Sequence, residues 1–368
     1  MKRIITFVRT NVVMVIAALL AIATAFIVPP DKKYIEYFDF KTLTCLFTVL
    51  AVVCALRNVR FFYTLAEKIV KRFKNARIAV LALVYITFIG SMLIANDMAL
   101  LTFLPLGYFV LVSTHKEKYM CVTFILQNVA ANLGGMLTPF GNPQNLYLYS
   151  KFAIPDGEFM LIMLPPFLLA ITMITLSVIF FIKPEPLEFS GVESRFPKAK
   201  VIIYLILFAF AIFCVFRVIP YQIALIVIPV VILFMDRRAL LDVDYGLLLT
   251  FVFFFIFSGN MARIDAVREL FAMLLEKSTL VVSAISCQFM SNVPSAILLS
   301  QFTDNYKELL LGVNVGGCGT LISSLASLIT FKEYMQHNKG KAGKYILVFS
   351  AFNFTFLIIM TLFCLLII

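Results

Sequence analysis

The chain has 368 residues, 62% of them hydrophobic and 14% charged, and a net charge of +11. Its mean hydropathy of +1.00 leaves far more apolar surface than a soluble domain could cover with polar groups, which excludes a water-soluble globular protein. The charge does not signal nucleic acid, because the basic residues sit in short gaps between apolar spans and not on one folded face. All seven cysteines fall inside apolar stretches without metal-ligand spacing, and both histidines, His115 and His337, lie in basic loops.

Apolar runs long enough to cross a hydrocarbon core of roughly 30 Å recur along the chain. Residues 10 to 28 follow Lys2, Arg3 and Arg9 and run into Pro29 and Pro30 without a small-residue cleavage site, so they read as a retained helix. Residues 41 to 56 return. From Arg57 to Arg77, basic residues outnumber the lone Glu67, and Phe61, Phe62, Leu65, Ile69 and Phe73 recur at helical spacing, which predicts an amphipathic helix on the cytoplasmic surface. A hairpin over 78 to 114 turns at Asn96 and Asp97. An interrupted span covers 119 to 149, and 159 to 182 close the first repeat, residues 1 to 182. A polar, Pro-containing linker, 183 to 200, is expected in the cytoplasm.

The second repeat, 201 to 368, crosses at 201 to 216, 219 to 235 and 245 to 258. An amphipathic segment from Gly259 to Lys277 leads into a hairpin over 278 to 303, which turns at Ser291 to Pro294. An interrupted span at 309 to 331 and a last helix complete it. Threaded this way, most of the 31 lysines and arginines face the cytoplasm, with the N-terminus inside and the C-terminus outside an inner (plasma) membrane. Hydropathy does not separate a re-entrant hairpin from two full spans.

Each half thus contains two spans, an amphipathic or polar segment, a hairpin with a polar tip, an interrupted span and a closing span. Asn96 aligns with Asn292 at the tips. Asn132, Gly134 and Gly135 align with Asn314, Gly316 and Gly317 in the interrupted spans. One hairpin opens from each side, so the expected fold is an all-α polytopic membrane protein of two inverted-topology repeats, each with a re-entrant hairpin and a broken transmembrane helix. That is the plan of secondary transporters.

Gly, Pro and Asn clusters at membrane depth are tolerated only against protein or a water-filled cavity. Four occur: Asn96 and Asp97, Asn132 to Asn145, Ser291 to Pro294, and Asn314 to Ser327. Broken helices expose N–H groups at helix N-termini, and with Asn, Ser and Thr side chains these form an anion site without a buried cation. Nearby carbonyls could hold Na⁺. The plainer reading makes the tips helix caps and the glycine pairs close-packing points. Asp97 stands apart, because an ionisable group between two apolar helices is costly and reads as functional, either a proton carrier or a Na⁺ ligand. An intramembrane enzyme would need paired acids or a nucleophile with its base, and no second acid stands near Asp97 in the sequence.

At these residues the chain resembles the ion transporter superfamily, specifically the ArsB/NhaD and citrate-transporter-like permeases. The segment from Ala95 to Pro105 resembles the first-hairpin motif of arsenite permeases, and Gly319 to Ile329 resembles their Thr-Pro-Ile-Gly-Ser-Leu-Ala segment, with Leu321 and Ser323 replacing Pro and Gly. The divalent-anion/sodium symporters carry Ser-Asn-Thr at both tips, and here each tip keeps its Asn and loses the Thr. Gly141 to Asn145 is similar to the Gly-Thr-Pro-Pro-Asn turn of that family, with two substitutions. The resemblance implies an elevator mechanism, often in a homodimer, that moves a small anion such as citrate or arsenite. It places substrate contacts at Asn96, Asn142, Asn145, Ser291, Asn292, Thr320 and Ser323. Ion coupling would fall to Asp97, Asn132 and Asn314, with Na⁺ or H⁺ as coupling ion and no other cofactor. The competing transport reading is a Na⁺/H⁺ antiporter, which Asp97 would suit.

Overall fold

A computed structural model describes residues 12–187 and 197–368; Lys2, Arg3, Arg9 and the centre of the expected linker lie outside them. The first half consists of α1 (Val12–Ile27), α2 (Phe40–Asn58), α3 (Phe61–Val70), α4 (Ala76–Ile94), α5 (Asn96–Ser113), α6 (Met120–Gly134), α7 (Pro143–Lys151) and α8 (Asp156–Phe181). The second consists of α9 (Lys198–Val215), α10 (Tyr221–Met235), α11 (Arg237–Leu241), α12 (Tyr245–Met261), α13 (Asp265–Lys277), α14 (Thr279–Met290), α15 (Asn292–Leu299), α16 (Tyr306–Val315), α17 (Leu325–His337) and α18 (Ala342–Ile367). Among the described residues eight helices are long and apolar enough to cross a membrane, or nine if one bent pair is counted as a span.

Helix starts follow local chemistry. Asp39 accepts from the Thr42 N–H ahead of α2, Asn75 from Arg77 ahead of α4, and Asp244 from Leu247 ahead of α12, each at 2.9 Å. Pro143 opens α7, where its missing N–H costs nothing. α6 is buried along nearly its whole length, so Gln127, Asn128 and Asn132 must find partners inside the protein. By contrast α8 and α18 expose large apolar side chains such as Phe180 (82%) and Leu366 (84%), which suits lipid as their surroundings.

The two halves differ from each other in two respects. The long helices α9, α10 and α12, with the short α11, precede the amphipathic α13 and fall on the three apolar runs at 201 to 216, 219 to 235 and 245 to 258, whereas only α1 and α2 precede α3. The hairpins are also unequal. The limbs α14 and α15 reach only about 18 and 12 Å at 1.5 Å per residue, each too short by itself for a 30 Å core. The limbs α4 and α5, about 28 and 27 Å, are long enough for either arrangement.

The helices pack in two groups. α4, α5 and α6 pack together with α8 behind α6, α14 lies on α15 and α16, and α17 crosses α5 and α6. The other group has α2 against α9, α10 and α11, and α1 against α12. They meet where α15 lies on α12 and α7 on α2.

Candidate functional site

Both hairpin tips take the same backbone conformation. Ala95 has φ 65° and ψ 153°, Ser291 has φ 75° and ψ 159°, and each is followed at once by the Asn that starts the next helix. This region is almost exclusive to glycine, so each tip stores about 1–3 kcal/mol of strain. The two Asn side chains act alike: Asn96 Oδ1 accepts from the Asp97 N–H at 3.0 Å, and Asn292 Oδ1 from Val293 at 2.9 Å.

The helix breaks are close crossings of backbone. A Cβ on Gly134 would lie 2.2 Å from the Phe88 carbonyl oxygen, and one on Gly141 2.2 Å from that of Gly135, so neither position admits a side chain. Asn145 caps the first break, donating Nδ2 to the carbonyls of Gly135, Met136 and Thr138 at 3.2–3.3 Å. The second is held by Gln288, whose Nε2 donates to the Ala284, Gly316 and Cys318 carbonyls and whose Oε1 accepts from the Thr320 N–H. Ser323 Oγ donates to the Gly317 carbonyl at 2.9 Å.

Two asparagines tie the halves together crosswise. Asn132 Oδ1 accepts from Asn96 Nδ2 at 3.3 Å and from Ser324 Oγ at 2.8 Å, while its Nδ2 donates to the Gly317 carbonyl. Asn314 Oδ1 accepts from Asn142 and Gln144, and its Nδ2 donates to Asn145 Oδ1 at 2.6 Å. Each half's helix end thereby satisfies the other half's break.

Beside this network is a cavity of about 270 Å³, whose lining includes Asn96, Asp97, Ser291 and Asn292 as well as Pro143, Gln144, Ser324 and Leu325. The N-termini of α5, α7, α15 and α17 thus converge on one space, and their helix dipoles make it favourable for negative charge. Among the described residues, Asp97 Oδ1 and Gln144 Oε1 are buried there without a hydrogen-bond partner.

Of the residues singled out from sequence, Asn96, Asp97, Ser291 and Asn292 line the cavity. Asn132, Asn145, Asn314, Thr320 and Ser323 do not, and their polar groups are engaged in the breaks. Asn142 lies among them with its Oδ1 unpaired. Sequence reading missed Gln144, Thr250, Ser324, Lys332 and Asp244, all of which line the cavity. Asp244 corrects the expectation that no second acid stands near Asp97. It reaches the cavity as the cap of α12, after a cytoplasmic-looking loop that gave no hint of depth.

The fold and this cavity define a polytopic integral membrane protein with a cavity built on broken helices. A family model described as "Citrate transporter" matches residues 3–306, and the chain belongs to that family of membrane transporters. It is similar to the uncharacterized transporter MJ0456 of Methanocaldococcus jannaschii, 30% identical over 313 residues that make up 84% of this chain and 85% of that one. It is similar also to inner membrane protein YbiR of Escherichia coli, 28% identical over 327 residues, 85% of each chain. A 46 kDa membrane protein of Mycobacterium leprae is 24% identical over 336 residues, covering 79% of this chain and 77% of that protein.

Proposed function

We propose that this transporter carries a small anion, a di- or tricarboxylate such as citrate, by secondary active, elevator-type alternating access coupled to H⁺ or Na⁺. The observation that carries the reading is the convergence of four helix N-termini on one cavity, which favours an anion without committing a buried cation to it. The two packing groups supply a division for an elevator: hairpins and broken helices against the remaining spans. The site residues of this reading are Asn96, Ser291, Asn292 and Gln144, with Asp97 as the coupling group. Asn132, Asn142, Asn145, Asn314, Thr320 and Ser323 hold the backbone that surrounds them.

Lys332, which lines the cavity with Val12, Val13 and Asp244, opens the basic segment Lys332 to Lys344. This reading places the basic loops inside an inner membrane and so has the cavity open to the cytoplasm. It takes as the seal on the far side Tyr147 of α7, whose hydroxyl lies 2.8 Å from Ser300 Oγ and whose ring centroid is 5.6 Å from that of Phe255. A homodimer belongs to the same reading.

A second reading has one observation in its favour. Asp97 and Asp244 line a cavity where Lys332 is the one cationic residue among the described residues, and two acids suit a Na⁺/H⁺ antiporter. Uptake into proteoliposomes, with pH and Na⁺ gradients imposed separately, distinguishes the two. Accumulation of labelled citrate or succinate that is lost in Asn96→Ala and Asn292→Ala supports anion transport. Asp97→Asn should abolish accumulation driven by its coupling ion yet permit exchange. Absence of carboxylate uptake, together with Na⁺-dependent dequenching of a pH dye, would replace it with antiport.

A further inference from the structure

We infer that a recess between α2, α3 and α5, separate from the central cavity, binds the headgroup of one anionic phospholipid. Arg57 in the last turn of α2, Arg60 just before α3 and Tyr63 in its first turn line a space of about 300 Å³, with Phe62, Leu101 and Pro105 among its walls. It shares no lining residue with the central cavity. Among the described residues neither guanidinium has a carboxylate partner. Arg57 reaches only Met98 Sδ, at 3.4 Å, and Arg60 is exposed, at φ 56°, with no capping bond from its side chain.

Two unpaired guanidiniums on one recess match the oxygens of a phosphodiester, which guanidinium groups bind in a fork geometry. The rest of the lining points to a lipid as the source of that phosphate. Leu101 is 47% exposed at the edge of the recess, and the adjoining α3 exposes Leu65 and Ile69 on an otherwise basic surface. This is the pattern of a helix lying at a headgroup boundary, where acyl chain and phosphate are presented together. Free phosphate would satisfy the arginines and leave these apolar walls in water.

The test uses the full-length protein purified in a neutral detergent. Phosphatidylglycerol, phosphatidylcholine with the same acyl chains, and inorganic phosphate are added separately. Melting temperature and lipid retained in native mass spectrometry are read. Phosphatidylglycerol should raise Tm by a few degrees and remain bound at one molecule per chain, and phosphatidylcholine and phosphate should do neither. Arg57→Gln/Arg60→Gln should lose the effect, whereas Arg72→Gln/Lys74→Gln, which removes the same charge elsewhere on the basic segment, should keep it. If the double variant does not fold, Arg60→Gln alone, at an exposed position, should weaken retention at least several-fold. Equal effects of the two lipids, an equal shift with inorganic phosphate, or retention unchanged in the Arg60 variant would each overturn the assignment.

Discussion

Ala95 and Ser291 carry side chains where the backbone asks for glycine, at matching positions in both hairpins. Ala95→Gly and Ser291→Gly should relieve about 1–3 kcal/mol of strain each and give back about 0.5–1 kcal/mol in unfolded-chain entropy. A net rise in thermal stability is expected, measured as Tm in detergent, with slower transport if the strained tip serves the conformational change. Asn145→Ala has the opposite sign. It strips three buried carbonyls of their donor and leaves Asn314 Nδ2 one partner short, so a loss of about 2–4 kcal/mol is expected in the unfolding equilibrium. The sequence made these asparagines visible as polar groups at depth, and their positions in aligned motifs marked them as a set. It could not show that Asn145 and Asn314 spend their hydrogen bonds on the fold while Asn96 and Asn292 face the cavity, because that depends on which half lies opposite which.

Among the elements, the apolar runs set the helices well, since a hydrocarbon solvent permits little else. The unequal hairpins were not legible, because Ser300 and Gln301 continue a polar-flecked run in which nothing marks the end of a helix. The start of the linker was equally silent, and it turns out to be strapped down. The Ala76 N–H donates to the Glu185 carbonyl at 2.8 Å, Leu187 to that of Lys74 at 2.9 Å, and Arg77 Nε to Ile182 at 2.7 Å. The Glu185 carboxylate lies 2.6 Å from Lys118, 2.9 Å from Lys116 and 2.8 Å from the Tyr119 hydroxyl, and these bonds hold its pKa down to about 2. A carboxyl depressed in the folded state contributes stability above its ordinary range and loses it as pH falls through that range towards 2. The Tm advantage of the parent over Glu185→Gln should therefore be constant at neutral pH, shrink below about pH 4.5 and vanish near 2. No advantage at neutral pH would mean that the backbone strap, which the variant keeps, holds the linker without the carboxylate.

For the molecule as a whole, alternating access requires a seal on one side of the cavity, and the contact of Tyr147 with Ser300 and Phe255 is the one proposed here. In a background without native thiols, Ser300→Cys should be shielded from an impermeant maleimide applied on the side opposite the Lys332 to Lys344 loop. Adding Tyr147→Ala, which removes both the hydroxyl contact and the ring against Phe255, should expose it. Labelling that stays absent in the double variant would show that the closure is made elsewhere.

The crosswise asparagines also bear on how such a protein is made. The carbonyl that Asn132 Nδ2 meets belongs to Gly317, 185 residues later, and the Ser324 hydroxyl comes 192 residues later. While the ribosome is still extending the chain, α6 is already committed to the bilayer with polar groups that have no partner yet. A chain can therefore insert every helix in the right orientation and still lack the site. Assembly would finish with a docking event between two inserted halves, after synthesis has ended, and for quality control that docking would distinguish a mature molecule from one that merely has the right topology.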